Sequence, residues 1–464
     1  MCPDGEPERD EVRILVDDEM RRGMPDLSEA DVAQESDGRG HGRALYGDVA
    51  RCRDNDRVEA ERLLVLGAGP AQIGLLAAAR RRGLFVIAVD RDPSAPGFRY
   101  ADRRAIISVE DEPAIERLAE AERIDGVIAP GIGWSVAVAA RVAERLGLEH
   151  PVSSETALLV TSKLRERERF ADAGIPQPAF ERCSTAEEAV AAAERVGYPC
   201  VLKPTDRQNQ RGLAYVEGSD ALDAAIAGAF EQSRSGVLLV EELVDGPEVM
   251  INGFSLGGRF HPLTVTDRIL AEPPAFGVAL AHVWRSSLEP GTLGAAVEAT
   301  SSAAAALGVL EGPTYTQVRV GPDGPSVVEL GARLGGGHDA ELCRAALGID
   351  LNALSLAAAL GEEIPTRALV PVERAGGACV RFLVAPPGEL RGIAGEEEAC
   401  AIEGVLDVRV YRRPGHVFGE LRRASDRAGA VIAVGDSREE ALERADRSAE
   451  CIRFDTADVE ALAS

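Results

Sequence analysis

From Arg62 onward the chain alternates short apolar runs with amphipathic stretches. LLVLGAGP reads as a buried strand running into glycines, and AQIGLLAAARRRG as a helix that Gly83 stops. LFVIAVDRD reads as a second strand, ending in Asp90. Ala105–Val109 predicts a strand, Pro113–Glu122 a helix, Gly126–Pro130 a strand and Val136–Leu146 a helix. Strands alternating with helices imply a parallel, doubly wound sheet up to about His150. Residues 1–60 are dense in charge and poor in aromatics. They read as an extension, in which MCPDGEPERDEVRILVDDEMRRG can form a short helix.

Beyond His150 the pattern changes. SKLRERERFADAG predicts a strongly charged helix that carries Lys163. Ser184 to Glu187 reads as a capping box opening a helix to Val196, with Gly197 ending it. PCVLKPTDRQNQRGLAYV is an apolar strand ending in Lys203-Pro204, a polar loop closed by Gly212, and a second apolar run from Leu213 to Val216. VLLVEELVDGPEV is a strand ending in Glu241 and Glu242, with Glu248 after a Gly-Pro turn. Backbone N–H groups of such a loop, with a lysine at its base, suit a polyphosphate. Carboxylates at a strand end can accept from an exocyclic amine and from ribose hydroxyls. Together these pieces predict a nucleotide pocket. A helix from Asp339 to Leu347 and the apolar stretch Leu351–Leu360 follow. From about Val370, ACVRFLVAPPG, VLDVRVYRRPG and RAGAVIAVGDS read as strands, and SREEALERADRSAECIRF as a helix capped by Ser437 and Glu440.

Composition narrows the picture. At 464 residues the chain is long enough for roughly three domains, and at 45% hydrophobic it can bury a substantial core. A formal net charge of −26 argues against nucleic acid and anionic membranes as partners. The eight cysteines form no C-x-x-C pair, which favours reduced thiols over a disulfide framework or a zinc site. The start of the chain lacks the pattern of a signal peptide, and no apolar run reaches the ~18 residues of a membrane span. A cytoplasmic location is expected.

In order and type, Lys163, Lys203, the loop to Gly212, Glu241 and Glu248 resemble the ATP-grasp superfamily. Tyr315 to Gly337, YTQVRVGPDGPSVVELGARLGGG, resembles its metal-binding hairpin and the arginine that follows. The resemblance runs from about Leu63 to the C-terminus. It implies an α/β (α+β overall) fold: a doubly wound parallel-sheet domain over 61–150, a small lid over 151–235, a large lobe over 236–370, and an α+β domain over 371–464. That last part resembles the C-terminal domain of L-amino-acid ligases. Gly67, Gly69 and Gly74 nearly match a dinucleotide fingerprint, but Gln72 stands where a small residue belongs; the family's similar N-terminal domain binds no nicotinamide.

The resemblance also implies roles. Lys163 and Lys203 would neutralise phosphate charge, with Arg211 and Gly212 in the covering loop. Glu241, beside Glu242, would meet the adenine amine, Val244 the adenine ring through its backbone, and Glu248 the ribose. Magnesium (or manganese) would use three positions that here read Gln317, Glu329 and Gly331, of which only Glu329 fits the family pattern. Gln317 can still offer a neutral oxygen. Arg333, ahead of Gly335, Gly336 and Gly337, would hold a carboxylate or an oxyanion, and His282, Trp284 and Arg285 would line the substrate pocket. The activity implied is ATP-dependent ligation of a small-molecule carboxylic acid and an amine through an acyl phosphate, releasing ADP and phosphate, with amino acids the favoured substrates. A bicarbonate-activating carboxylase, a nucleotide-binding protein with an altered metal site, and a homodimeric assembly stay open.

Overall fold

The computed structural model describes residues 14–15, 60–208, 210–272 and 275–457. The expected N-terminal extension therefore lies outside the described residues, apart from the two-residue strand Ile14–Leu15. The first sheet has five strands in the order Ile14–Leu15, Arg103–Ala105, Phe85–Val89, Arg62–Leu66, Gly126–Ile128. All its pairings are parallel except that of Ile14–Leu15. Helices Ile73–Arg81, Glu112–Glu122 and Gly133–Leu146 connect and cover it. The strand expected over Ala105–Val109 instead ends at Ala105. The apolar residues after it pack against the core rather than pairing, so hydrophobicity marked burial there and not a ladder.

A second, antiparallel sheet runs Phe180–Cys183, Leu238–Glu242, Cys200–Pro204, Ala214–Val216. The helix Ala186–Val196 beside it is capped one residue later than expected. Thr185 Oγ1 accepts from Glu188 N at 3.2 Å, and the Glu188 carboxylate accepts from Ser184 N at 2.6 Å.

The third sheet has eight antiparallel strands: Gly324–Gly331, Gly312–Gly321, Glu248–Leu256, Arg259–Leu270, Ala279–Trp284, Gly377–Leu383, Gly429–Gly435 and Val405–Val410. Its last three strands come from the tail, which is thus built onto the large sheet. Only Gly388–Ala394, Val417–Phe418 and Arg453–Ala457 form a small sheet of their own. Helix Arg438–Cys451 packs its buried alanines over the joint. Among the described residues no single helix is long and apolar enough to cross a membrane. Helices Asp339–Leu347 and Leu351–Ala359 pass that test only as a pair, bent by 119°, and both contribute to the main core.

Candidate active site

Register in the large sheet sets the floor of a cavity. Directly paired residues face the same way. Glu329 pairs with Gln317, Gln317 with Met250, and Met250 with Thr266. Two residues on, Glu248 pairs with Arg319, and Arg268 pairs with His282. One sheet face therefore carries Glu329, Gln317, Glu248, Arg319, Arg268 and His282 in a band. The small sheet contributes Lys203 and Glu241. Between them lies a cavity of about 190 Å³, lined by Lys163, Lys203, Arg211, Glu241, Val244 and Glu329 among others.

The charged groups in this cavity are interlocked. Glu241 is buried and accepts from Lys203 Nζ at 2.6 Å and Arg167 Nε at 2.8 Å. Burial pushes its carboxyl up, but Arg167 and Lys203 outweigh that and hold it at about 2. Both oxygens thus already face cations before any adenine amine arrives. Glu248 is ion-paired with Arg268, and Arg319 Nε lies 3.8 Å from its other oxygen. Lys163, first residue of helix Lys163–Ala173, donates from Nζ to the Arg207 carbonyl at 2.8 Å. Glu242 is exposed at the rim, where its carboxylate accepts from Ala179 N at 3.2 Å.

The loop from Thr205 to Gly212 is docked at both ends. Gln208 Oε1 accepts from Gly133 N at 3.0 Å and Trp134 N at 3.3 Å, at the start of helix Gly133–Leu146. Gln210 Oε1 accepts from Ala424 N in the tail at 3.2 Å. Gln208 and Gln210 thus join the loop to the first domain and to the tail. Gly212 has φ +72°, and a Cβ there would come 2.7 Å from Pro204 Cγ, so glycine is required. Arg211 makes no ion pair among the described residues; burial, then Arg91, Arg423 and Arg207, lower its affinity for its proton.

Glu329 is the carboxylate left over. Burial raises its pKa, and the positive charges of Lys163, Arg333, Lys203 and Arg167 more than reverse this. No hydrogen bond or ion pair engages its side chain among the described residues. Gln317, paired with it across the hairpin, turns its amide nitrogen to Tyr315 Oη at 2.5 Å, and its carbonyl oxygen makes no hydrogen bond among the described residues. Two oxygen donors side by side fit magnesium, with phosphate and water completing the shell. No group of three or more His, Cys, Asp or Glu that could hold a metal occurs among the described residues. At the third position, a Cβ on Gly331 would make ordinary van der Waals contact with Arg333 and Tyr315 at 3.4 Å.

Arg333 stacks 4.6 Å above the Tyr315 ring and donates from Nη1 to Leu334 O at 2.9 Å. Its buried Nε has no partner. Gly335 and Gly337 lie so close to Asp339 and His282 that a Cβ would overlap them, and Gly336 lies against Gly131 of the first domain. His282 donates from Nδ1 to Asp339 Oδ1 at 2.9 Å. Burial depresses its pKa further than Asp339 can restore it, so the ring is neutral, with the lone pair on Nε2. Trp284 and Arg285 are not brought to the cavity. Trp284 packs in the main core, and Arg285 is at the surface, paired with Glu373 at 2.5 Å. The strand ends at Trp284, and Asp267 then captures Ser286 and Ser287, turning the chain away.

Helix Lys163–Ala173 supplies two residues that its charge pattern hid. Glu166 and Arg167 are 3% and 1% exposed. Arg167 donates to the carbonyls of Val327 and Val328, and Glu166 Oε1 accepts from Leu330 N at 2.6 Å, so the helix clamps the hairpin that carries Glu329. Burial pushes the Glu166 carboxyl up to about 8. A carboxyl raised on folding holds its proton while the unfolded chain, at about 4.5, has lost it. Stability therefore falls as pH rises through that window. Glu166→Gln is expected to match the wild type near pH 4.5 and exceed it by a few kcal/mol at pH 8.5 (~1.4 kcal/mol per pKa unit). Thermal melts across that range check it; parallel curves for the two proteins would show Glu166 to be ionised in the fold.

A parallel-sheet domain, a small antiparallel sheet and a large antiparallel sheet thus come together around one cation-rich cavity. Residues 196–341 match the ATP-grasp domain family, and residues 381–457 match the L-amino acid ligase C-terminal domain 2. The chain is 29% identical over 405 residues to the formate-dependent phosphoribosylglycinamide formyltransferase of Burkholderia cenocepacia, covering 85% of this chain and 95% of that one. Its fold is similar to the L-amino acid ligase from Bacillus licheniformis, with TM-score 0.73 and 23% identity over 86% of this chain and 99% of that one. It is also similar to the phosphoribosylglycinamide synthetase from Anaerococcus prevotii, with TM-score 0.69, 17% identity, and 86% and 100% covered. The chain thus carries an ATP-grasp domain over 196–341 and an L-amino acid ligase C-terminal domain 2 over 381–457, in a fold shared with these proteins.

Proposed function

We propose that the protein joins a small carboxylic acid, most simply an amino acid, to an amine through an acyl phosphate. The observation that carries this reading is the unpaired Glu329 carboxylate, opposite the free Gln317 oxygen and facing Lys163, Lys203 and Arg333. Magnesium, held there by Glu329 and Gln317, would draw negative charge from the phosphate oxygens. Lys163 and Lys203 bind and orient the phosphates of ATP, and Glu248 and Val244 hold the nucleoside end. The acid's carboxylate oxygen attacks the γ-phosphorus, the bond to ADP breaks, and an acyl phosphate forms. The amine then attacks the acyl carbon, and phosphate leaves. Arg333, with its Nε unpartnered, is positioned for the tetrahedral oxyanion. Neutral His282, oriented by Asp339, can take the proton the amine loses.

A nucleotide-binding protein without turnover is disfavoured by the same two oxygens, since a binding module has no need of an unpaired buried carboxylate. The test is a phosphate-release screen over pairs of amino acids and related acids, with mass spectrometry of the products. ADP, phosphate and an amide are expected in equal amounts. ATP turnover that depends on bicarbonate alone would replace this reading with a carboxylase.

A further inference from the structure

We propose that Arg427 and Tyr411, both from the tail, form a subsite for the carboxylate of the amine substrate, so that this substrate is an amino acid and not a simple amine. The proposal rests on the ligase reading above.

Arg427 is 7% exposed, its Nε has no hydrogen-bond partner, and no carboxylate ion-pairs with it among the described residues. Neighbouring guanidinium groups are ion-paired, Arg167 with Glu241, Arg268 with Glu248 and Arg409 with Glu341, whereas Arg427, like Arg333, is not. Arg427 instead lies 3.6 Å over the Phe382 ring. Stacking occupies one face of the guanidinium and leaves its in-plane N–H groups to find an acceptor. Asp339 lies within its field but forms no ion pair with it, and burial, the largest effect, pushes its pKa down to about 10. A buried charge left in this state destabilises the fold, and a ligand carboxylate would supply the missing partner.

Tyr411 is a second donor. Arg409 Nη1 donates to His338 Nδ1 at 2.9 Å, so the His338 proton is on Nε2 and is given to the Tyr411 oxygen. The Tyr411 hydroxyl hydrogen then has no acceptor among the described residues. Tyr411 and Arg427 lie within each other's field, and Asp339, with Arg268 and Tyr315 of the cavity, lies within the field of Arg427.

The position fits a nucleophile. Phe382 meets His282 edge-on with ring centroids 5.4 Å apart, so Arg427 and His282 flank the same phenyl ring. The proposal places the amino group of the nucleophile toward His282 and its carboxylate toward Arg427. Arg333, on the other side of Tyr315, stays free for the reacting carbonyl.

The test compares two nucleophiles. Each protein amino acid is offered as the acid with ATP, and the acyl phosphate is captured either by L-alanine, giving a dipeptide, or by hydroxylamine, giving a hydroxamate. Hydroxylamine carries no carboxylate. Arg427→Met is expected to lower dipeptide formation about 10²-fold more than hydroxamate formation, through a raised KM for L-alanine, with Arg427→Lys recovering part of the difference. An unchanged ratio, whether both products fall together or neither falls, would overturn the proposal and leave the ligase reading intact. No hydroxamate from the wild type with any acid would overturn the ligase reading itself, and this proposal with it.

Discussion

Glu329→Gln is expected to lower turnover by about 10³-fold while the protein keeps its fold. Its carboxylate has no protein partner to lose, so the substitution removes charge without breaking a contact. What disappears is the one acidic ligand on the hairpin, next to a Gln317 oxygen that carries no net charge. Gln317→Glu should act in the opposite direction, lowering the magnesium concentration that gives half-maximal rate, because a second carboxylate adds charge at ligand distance. Magnesium titrations of the rate for both variants decide the matter. If neither changes the magnesium dependence, these two residues are not the ligands.

Lys203→Met should reduce kcat by about 10²-fold or more, the loss associated with one preorganised charge-stabilising group. The fold should survive for a reason visible in the ion pairs. Glu241 keeps Arg167 at 2.8 Å, so its buried charge is not stranded. Methionine also preserves the packed stem of the lysine. Steady-state rates with a melting curve test both halves. Wild-type turnover would remove Lys203 from the phosphate site, and a collapse in Tm would make it a structural residue.

Elements whose signal is local were legible from the residues. The strands Arg62–Leu66, Phe85–Val89, Cys200–Pro204 and Leu238–Glu242 are apolar runs with clear ends, and the glycine stops follow from backbone conformation. Which strands pair was less legible. ACVRFLVAPPG reads as a strand, but nothing in its composition says that it extends the sheet of Ala279–Trp284, because such pairing is non-local. Charge was the most misleading signal. RERER predicted a strongly charged helix, yet Glu166 and Arg167 are among its most buried residues, since each has a long-range polar partner that periodicity cannot reveal. Arg285 misled in the other direction: it follows a pocket histidine in sequence, but the strand ends between them. Arg427 was passed over, although an arginine immediately before the buried strand Gly429–Gly435 was the available sign.

The most direct test of the account labels with oxygen-18 the carboxylate of whichever acid the pairwise screen identifies. One labelled oxygen should appear in the released phosphate per turnover, with ADP as the nucleotide product. Unlabelled phosphate, or AMP and pyrophosphate formed in step with the amide, would contradict it.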